Sequence, residues 1–368
     1  MRLLFHVALP IAALLLPADR CCAGEPKSAG AADHSRLLVY ETPDGQDRPV
    51  RTAADWAIRR QQIIAGMEAA MGKLPDRAKL PAPDVKVIEE QKGPGFLRLS
   101  ITFLAEENDR VPAYLFLPND RPAGRRVAAI LALHPTSPLG KKVVSGEGPR
   151  PNRAYALELA QRGYVVLAPD YPSFGDYPYD FQKSKYLSGS MKGIFNHMRG
   201  VDLLQAREEV DPERIGVIGH SLGGHNAMFA GVFDQRLKVI VSSCGWTPFH
   251  DYYGGKIVGW TSDRYMPRLR HAYGLDARRV PFDFYEVVAA LAPRAFFSAS
   301  PLADDNFAVA GVKKVEPKAR EVFALLGAAD RLQVRYPDCG HDFPAEVRRE
   351  AYAFVDRVLQ HTPTRETP

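Results

Sequence analysis

The chain is 368 residues long, 46% hydrophobic and 25% charged, with a formal charge of +5 at pH 7. This suits one large α/β domain in preference to two smaller ones. The charge is spread along the chain and no basic stretch interleaves with aromatics, which excludes a nucleic-acid surface.

Arg2 precedes an apolar run from Leu3 to Leu16, which stops before Asp19 and Arg20 and is followed by Cys21, Cys22, Ala23 and Gly24. The run is short for a membrane span and has the layout of a cleaved secretory signal. Residues 1–23 are therefore expected to be removed, leaving a secreted or periplasmic protein without stable membrane insertion. Arg20 stands where a lipid-modified cysteine would need a small residue before it. Two of the four cysteines leave with the signal, and Cys244 and Cys339 remain. They are too few for a disulfide framework; a single bridge and two buried thiols both fit the sequence. Residues 24–50 read as a flexible spacer.

The α/β domain is expected over 51–368. Trp56, Ile63, Ile64, Met67 and Met71 fall largely on one face of an amphipathic helix placed within 51–75, with Pro75, Pro81 and Pro83 ending it. Val85–Ile88, Phe96–Leu104 and Val111–Leu117, separated by turns rich in Gly, Asn and Asp, predict antiparallel strands at one edge of a sheet. From Val127 the pattern changes to short continuous apolar runs alternating with helical stretches, as in strands buried on both faces of a parallel sheet. The strands expected are Val127–Leu133, Tyr164–Ala168, Ile215–Ile218, Val239–Ser243, Ala295–Ser298 and Leu332–Tyr336. Helices are expected over Asn152–Arg162, Met191–Glu209, Leu222–Phe233, Glu316–Leu326 and Ala345–Gln360, with another near Phe284–Leu291. The fold class is therefore α/β, a doubly wound, mostly parallel sheet with an antiparallel edge, and its site lies at the carboxyl ends of the strands.

Residues 215–224 read Ile-Gly-Val-Ile-Gly-His-Ser-Leu-Gly-Gly and set Ser221 between a buried strand and a helix. Glycines two before and two after the serine suit a tight strand–turn–helix elbow, which lifts the hydroxyl to the amino end of a helix. Serine needs a base, and His341 follows the last strand through Pro337-Asp338-Cys339-Gly340. His134, His220 and His225 are its rivals and fit hydrogen-bonding structural roles better. The third member should be an acid between Ser221 and His341 in chain order. Asp304 is the choice, with Asp305 in reserve. Oxyanion donors are expected from the amide of Leu222 and from the loop His134-Pro135-Thr136-Ser137, where proline offers no N–H and Thr136 does. No paired His or Cys motif has metal-ligand spacing, so neither a metal nor a cofactor is expected.

These residues give the chain its kinship. Val111-Pro-Ala-Tyr-Leu, Leu133-His-Pro-Thr, Gly163-Tyr-Val-Val-Leu-Ala-Pro-Asp-Tyr, Gly219-His-Ser-Leu-Gly-Gly and Gly340-His341 resemble the secreted bacterial α/β-hydrolases allied to dienelactone hydrolases and acetyl xylan esterases. The resemblance implies the α/β-hydrolase fold and ester hydrolysis through an acyl-enzyme, with Ser221 as nucleophile, His341 as base and Asp304 as acid. Dienelactone hydrolases proper carry cysteine where this chain has Ser221, and sugar-ester relatives often carry glycine at Pro135.

Residues 245–283 form an aromatic-rich insertion that suits either a wall of the substrate pocket or a cover packed on the sheet. Trp246 and Trp260 from it, and Tyr171 from an earlier loop, are candidate substrate contacts. The expected partner is a small-molecule or carbohydrate ester. An exopeptidase on the same fold and a catalytically inactive binding module are the alternatives, although the roughly hundred residues before the parallel strands are few for a propeller.

Overall fold

The computed structural model describes residues 33–119 and 124–367. The expected signal segment, 1–23, and the spacer as far as residue 32 lie outside the described residues. Within the remaining spacer stretch, β1 (Val39–Glu41) and β2 (Asp47–Pro49) pair antiparallel, and His34, Leu37 and Val50 are buried.

Helix α1 (Ala53–Met71) opens on a capping box in which Thr52 and Asp55 satisfy each other's backbone amides, and it buries Trp56, Ile63, Met67 and Met71. Three strands follow, β3 (Lys86–Gly93), β4 (Phe96–Glu106) and β5 (Asp109–Pro118). The alternating part of the chain runs through β6 (Val127–Leu133), α2 (Tyr155–Gln161), β7 (Val165–Pro169), α3 (Gly189–Gln205), β8 (Val210–His220), α4 (Leu222–Phe233) and β9 (Leu237–Ser243). It closes with α5 (Arg268–His271), α6 (Phe284–Ala290), β10 (Ala295–Ala299), α7 (Val309–Leu325), β11 (Leu332–Arg335) and α8 (Ala345–Leu359).

Nine strands form one sheet in the order β11-β10-β9-β8-β6-β7-β5-β4-β3. From β11 to β7 every pair is parallel, whereas β7–β5, β5–β4 and β4–β3 are antiparallel. This is the α/β-hydrolase arrangement. Alternation along the central strands feeds two cores. Ala129, Leu131 and Leu133 of β6 face α1, α3, α4, α6 and α7, while Ala128, Ile130 and Ala132 face α2 and α8. The direction of winding reverses at the β6–β8 neighbours, so the loops leaving these two strands diverge and open a crevice.

Several boundaries differ from the sequence reading. Strand β8 begins at Val210, not Ile215, because Val210 already pairs with Val127; the polar run Asp211-Pro212-Glu213-Arg214 is the irregularity between that pair and Ile215 opposite Ala129. The polarity and the proline hid that extension, since a proline within a strand is tolerated at such an irregularity. Helix α7 starts at Val309, well before Glu316. Pro317 sits inside it, yet Val312, Val315, Ala319 and Val322 keep one buried stripe through the proline.

The N-terminal segment is fastened at His34. Its ring contacts Glu286 Oε2 at 2.7 Å and the Val280 carbonyl at 3.0 Å. Burial pulls the pKa of His34 down, but Glu286 and then Asp283 outweigh it and leave the net value above the ordinary 6.5. A raised histidine adds stability below its unfolded pKa and loses it as pH climbs through the folded value. The Tm deficit of His34→Ala relative to wild type should therefore shrink as pH rises from about 6 to about 9. Thermal melts across that range check this, and a deficit that grows instead contradicts it.

Candidate active site

Ser221 follows β8 with φ 56° and ψ −117°, a backbone setting that is strained for any residue with a side chain. Close approach explains the flanking glycines. A Cβ on Gly219 would stand 2.1 Å from the Gly223 carbonyl oxygen, and one on Gly223 would stand 2.0 Å from that of Leu133. The elbow thus touches the end of β6, and α4 begins directly behind the serine. The first amides of that helix have no intrahelical acceptor, which leaves the Leu222 N–H for a negative charge placed beside Ser221.

His341 lies between β11 and α8, across the same cleft. Its Nδ1 donates to the Asp304 carboxylate, at 3.0 Å from Oδ1 and 3.1 Å from Oδ2. Asp304 leaves the end of β10 and also accepts the amides of Asn306 at 2.9 Å and Phe307 at 3.0 Å. Burial would raise its pKa, but the bond from His341 and these two amides hold it below the ordinary carboxylate value, so it stays ionised. Asp305 is exposed. The loop amides that follow are bound by Asp304 itself.

The backbone around His341 is pinned by residues that the sequence reading passed over. Arg153, buried at the start of the region leading into α2, donates to the His341 carbonyl at 3.0 Å and pairs with Asp342. Asn152 reaches the other oxygen of Asp342 at 2.6 Å, and the Cys244 thiol donates to the Asp342 carbonyl at 3.1 Å. Cys244 and Cys339 are both free thiols. Cys244, Asp304 and His341 bring donor atoms within 4.8 Å of one another. Burial, and next the charge on Asp304, push the Cys244 thiol far above its usual pKa, so it remains protonated and a poor ligand.

The cleft holding Ser221 and His341 has a volume of about 240 Å³, and its walls come from Pro135–Ser137, Val143, Pro149, Arg150, Arg153 and His220. A larger cavity of about 660 Å³ lies between the N-terminal hairpin and α1, with Arg59, Asp33 and Glu286 on its walls. It contains none of the Ser221, His341 or Asp304 side chains, so size alone does not mark the reactive centre. His220 hydrogen-bonds Ser243 at 3.0 Å, and burial keeps it neutral, aided by the charge of Arg153. His134 Nδ1 meets the Pro135 carbonyl at 2.7 Å while its Nε2 accepts the Tyr171 amide at 2.9 Å, which fixes the loop carrying Thr136. His225 is buried against Phe229, Trp260 and Tyr265, and burial pushes its pKa down to about 3.

The three aromatic substrate candidates need correction, because none lines this cleft. Trp246 is buried with its indole N–H on Ser298 Oγ at 3.0 Å and its ring stacked on Phe284. Trp260 packs among Phe249, Phe284 and Phe307. Tyr171 is buried with its hydroxyl on the Arg264 carbonyl at 2.6 Å. Large rings in a segment that covers a helical face gain more from burial than from solvent, and most of the insertion follows that rule. Tyr253, which is exposed, and Tyr265 and Tyr273, which are half-buried, are exceptions. Tyr265 packs against the cluster of Tyr171, Phe174 and Leu222, and its hydroxyl meets Thr136 Oγ1 at 3.1 Å, so one insertion residue is tied to the loop expected to supply an oxyanion donor.

Two outcomes follow from these contacts. Trp246→Phe should lower stability by about 1 kcal/mol, the size of one lost hydrogen bond, and leave KM unchanged. A raised KM would return Trp246 to the substrate. Arg153 acts through the His341 backbone as a positioning residue, and a displacement of about 1 Å there is costly. Arg153→Ala should therefore lower kcat by about tenfold to a hundredfold with a smaller effect on KM, and Arg153→Lys should recover part of the loss. Steady-state kinetics on both variants separate this from general destabilisation, which would leave the kcat of the folded fraction intact.

Comparison with known proteins agrees with this arrangement. Residues 152–362, more than half of the chain, match the prolyl oligopeptidase family. YtaP of Bacillus subtilis (strain 168), provisionally called a hydrolase, is 28% identical over 316 residues, covering 82% of this chain and 99% of its own. A glucuronoyl esterase from Solibacter usitatus superposes with a TM-score of 0.68 at 19% identity, covering 90% of this chain and 98% of the other. A Bacteroides fragilis protein provisionally titled an acetyl xylan esterase superposes with a TM-score of 0.58, also at 19% identity, covering 83% and 86%. At such identities the superpositions establish the fold, the one expected from the esterase resemblance. Fold and family are together those of a serine hydrolase: the chain belongs to the prolyl oligopeptidase family.

Proposed function

We propose that this protein is a serine esterase that cleaves a small-molecule or carbohydrate ester outside the cytoplasm, through an acyl-enzyme on Ser221. The observation that carries the reading is the pairing of the strained elbow at Ser221 with a His341 ring already held by an ionised Asp304. In this mechanism His341 Nε2 takes the Ser221 proton as Oγ attacks the ester carbonyl. Asp304 fixes the tautomer and stabilises the imidazolium that forms. The amides of Leu222 and Thr136 receive the oxyanion. Collapse of the tetrahedral intermediate expels the alcohol, protonated by His341, and water repeats the sequence on the acyl-enzyme. The general base generates the nucleophile, so the reaction needs neither metal nor cofactor.

The family description favours a second reading, a peptidase, and an exopeptidase is the form expected from the sequence. An enzyme that trims free amino termini needs an anion for the substrate ammonium, and among the described residues no carboxylate lines this cleft. The esterase titles of both structural neighbours support the first reading. Among the described residues no helix is long and apolar enough to cross a membrane. The extracytoplasmic location is inferred from the signal-like residues 1–23.

Ser221→Ala should abolish hydrolysis of nitrophenyl esters and labelling by a fluorophosphonate while leaving the melt unchanged. Asp304→Asn should lose on the order of ten-thousandfold in turnover. Asp305→Asn should stay near wild type. Chelation should leave turnover intact. Turnover of an aminoacyl anilide above that of the esters would move the assignment to the peptidase, and an inactive Asp305→Asn would move the acid by one residue.

A further inference from the structure

The side chains around the cleft carry only positive formal charge. Two guanidinium groups, Arg150 and Arg153, stand there, and no carboxylate is among the described residues that line the cleft. They are not equivalent. Arg153 is buried and committed to Asp342 and the His341 carbonyl. Arg150 is exposed and makes no hydrogen bond or ion pair among the described residues; the nearby Glu147 is taken by Arg98 at 2.5 Å. The backbone that carries this group is restricted. Arg150 lies between Pro149 and Pro151 in an extended setting, φ −103° and ψ 121°, and proline on both sides restricts the alternatives. Its charge reaches the elbow as well, since it is among the causes that, after burial, keep His220 neutral.

An arginine that is presented by a stiff segment and is unpaired beside the nucleophile is suited to a planar anion, because its guanidinium offers a planar fork of donors. We propose that Arg150 makes the cleft select esters that carry a free carboxylate close to the scissile carbonyl. This rests on the serine esterase reading and refines its substrate class. The carboxylate would lie along the Arg150 rim of the cleft while the ester carbonyl sits over Ser221, between the Leu222 and Thr136 amides. No bond to the carboxylate changes in the reaction, so Arg150 acts on binding and orientation.

The test compares 4-nitrophenyl hemiglutarate with its methyl-capped, neutral counterpart for the wild type, Arg150→Ala, Arg150→Lys and Arg150→Glu. Wild type should favour the carboxylate ester by about tenfold in kcat/KM, the size of one charge-assisted hydrogen bond, mainly through KM. The ratio should fall to near unity in Arg150→Ala, be partly kept in Arg150→Lys, invert in Arg150→Glu, and decline with added salt. A wild-type ratio near unity, or one that Arg150→Ala leaves unchanged whatever happens to the absolute rates, overturns the proposal. Labelling rates at Ser221 with a carboxylate-bearing and a neutral fluorophosphonate give the same comparison without ester turnover. If the labelling shows the charge preference while neither ester is hydrolysed, the esterase reading fails and the role of Arg150 in binding stands.

Discussion

The closeness of the elbow to the end of β6 governs the rest of the site. Backbone atoms of Gly219, Gly223 and Leu133 come so near one another that no side chain fits at either glycine. That contact forces Ser221 into its positive-φ setting and starts α4 immediately behind it. It also ties two loops together, since the segment leaving β6 carries Thr136 and the turn leaving β8 carries Leu222. The two segments border one cleft because these strands are sheet neighbours whose connections run in opposite directions.

The His341 side is held differently, by side chains. Asp304 grips the ring, Arg153 grips the carbonyl, and Asn152 and Cys244 grip the next residue. These partners come from the ends of β10 and β9 and from the approach to α2, so the histidine loop is triangulated from three strand connections. Only Asp304 is expected from the order of residues. The others act through the backbone, and the residue immediately after a histidine gives no sequence sign that an arginine nearly two hundred positions earlier will bind it.

What could be read in advance follows the same division. The glycines around Ser221, the place of His341 after the last strand and the spacing from Asp304 to Phe307 are legible, because each is a local steric or turn requirement written in neighbouring residues. The continuous apolar runs gave the parallel strands for a similar reason, since burial on both faces leaves little freedom of composition. Direction of a side chain is not local. Trp246, Trp260 and Tyr171 are rich in the surface that pockets use, and equally in the surface that cores use, and only the packing decides. The start of α7 and the extension of β8 were hidden by prolines that tertiary contacts tolerate.

The insertion between β9 and α6 is tied down along its length. Its far end approaches α1 so closely that a Cβ on Gly66 would stand 2.2 Å from the Pro281 carbonyl oxygen, and Tyr273 donates to the Ala69 carbonyl. Phe249 and Trp260 are fully packed, and Tyr265 closes the row at Thr136. Swinging this segment away would strip a shared aromatic core, so it behaves as masonry instead of a door. The cleft at Ser221 is bordered instead by the Pro135 and Pro149 loops, which the insertion does not cover. Because the insertion is fixed by this packing, the wall that it gives to the Thr136 side of the site keeps one shape.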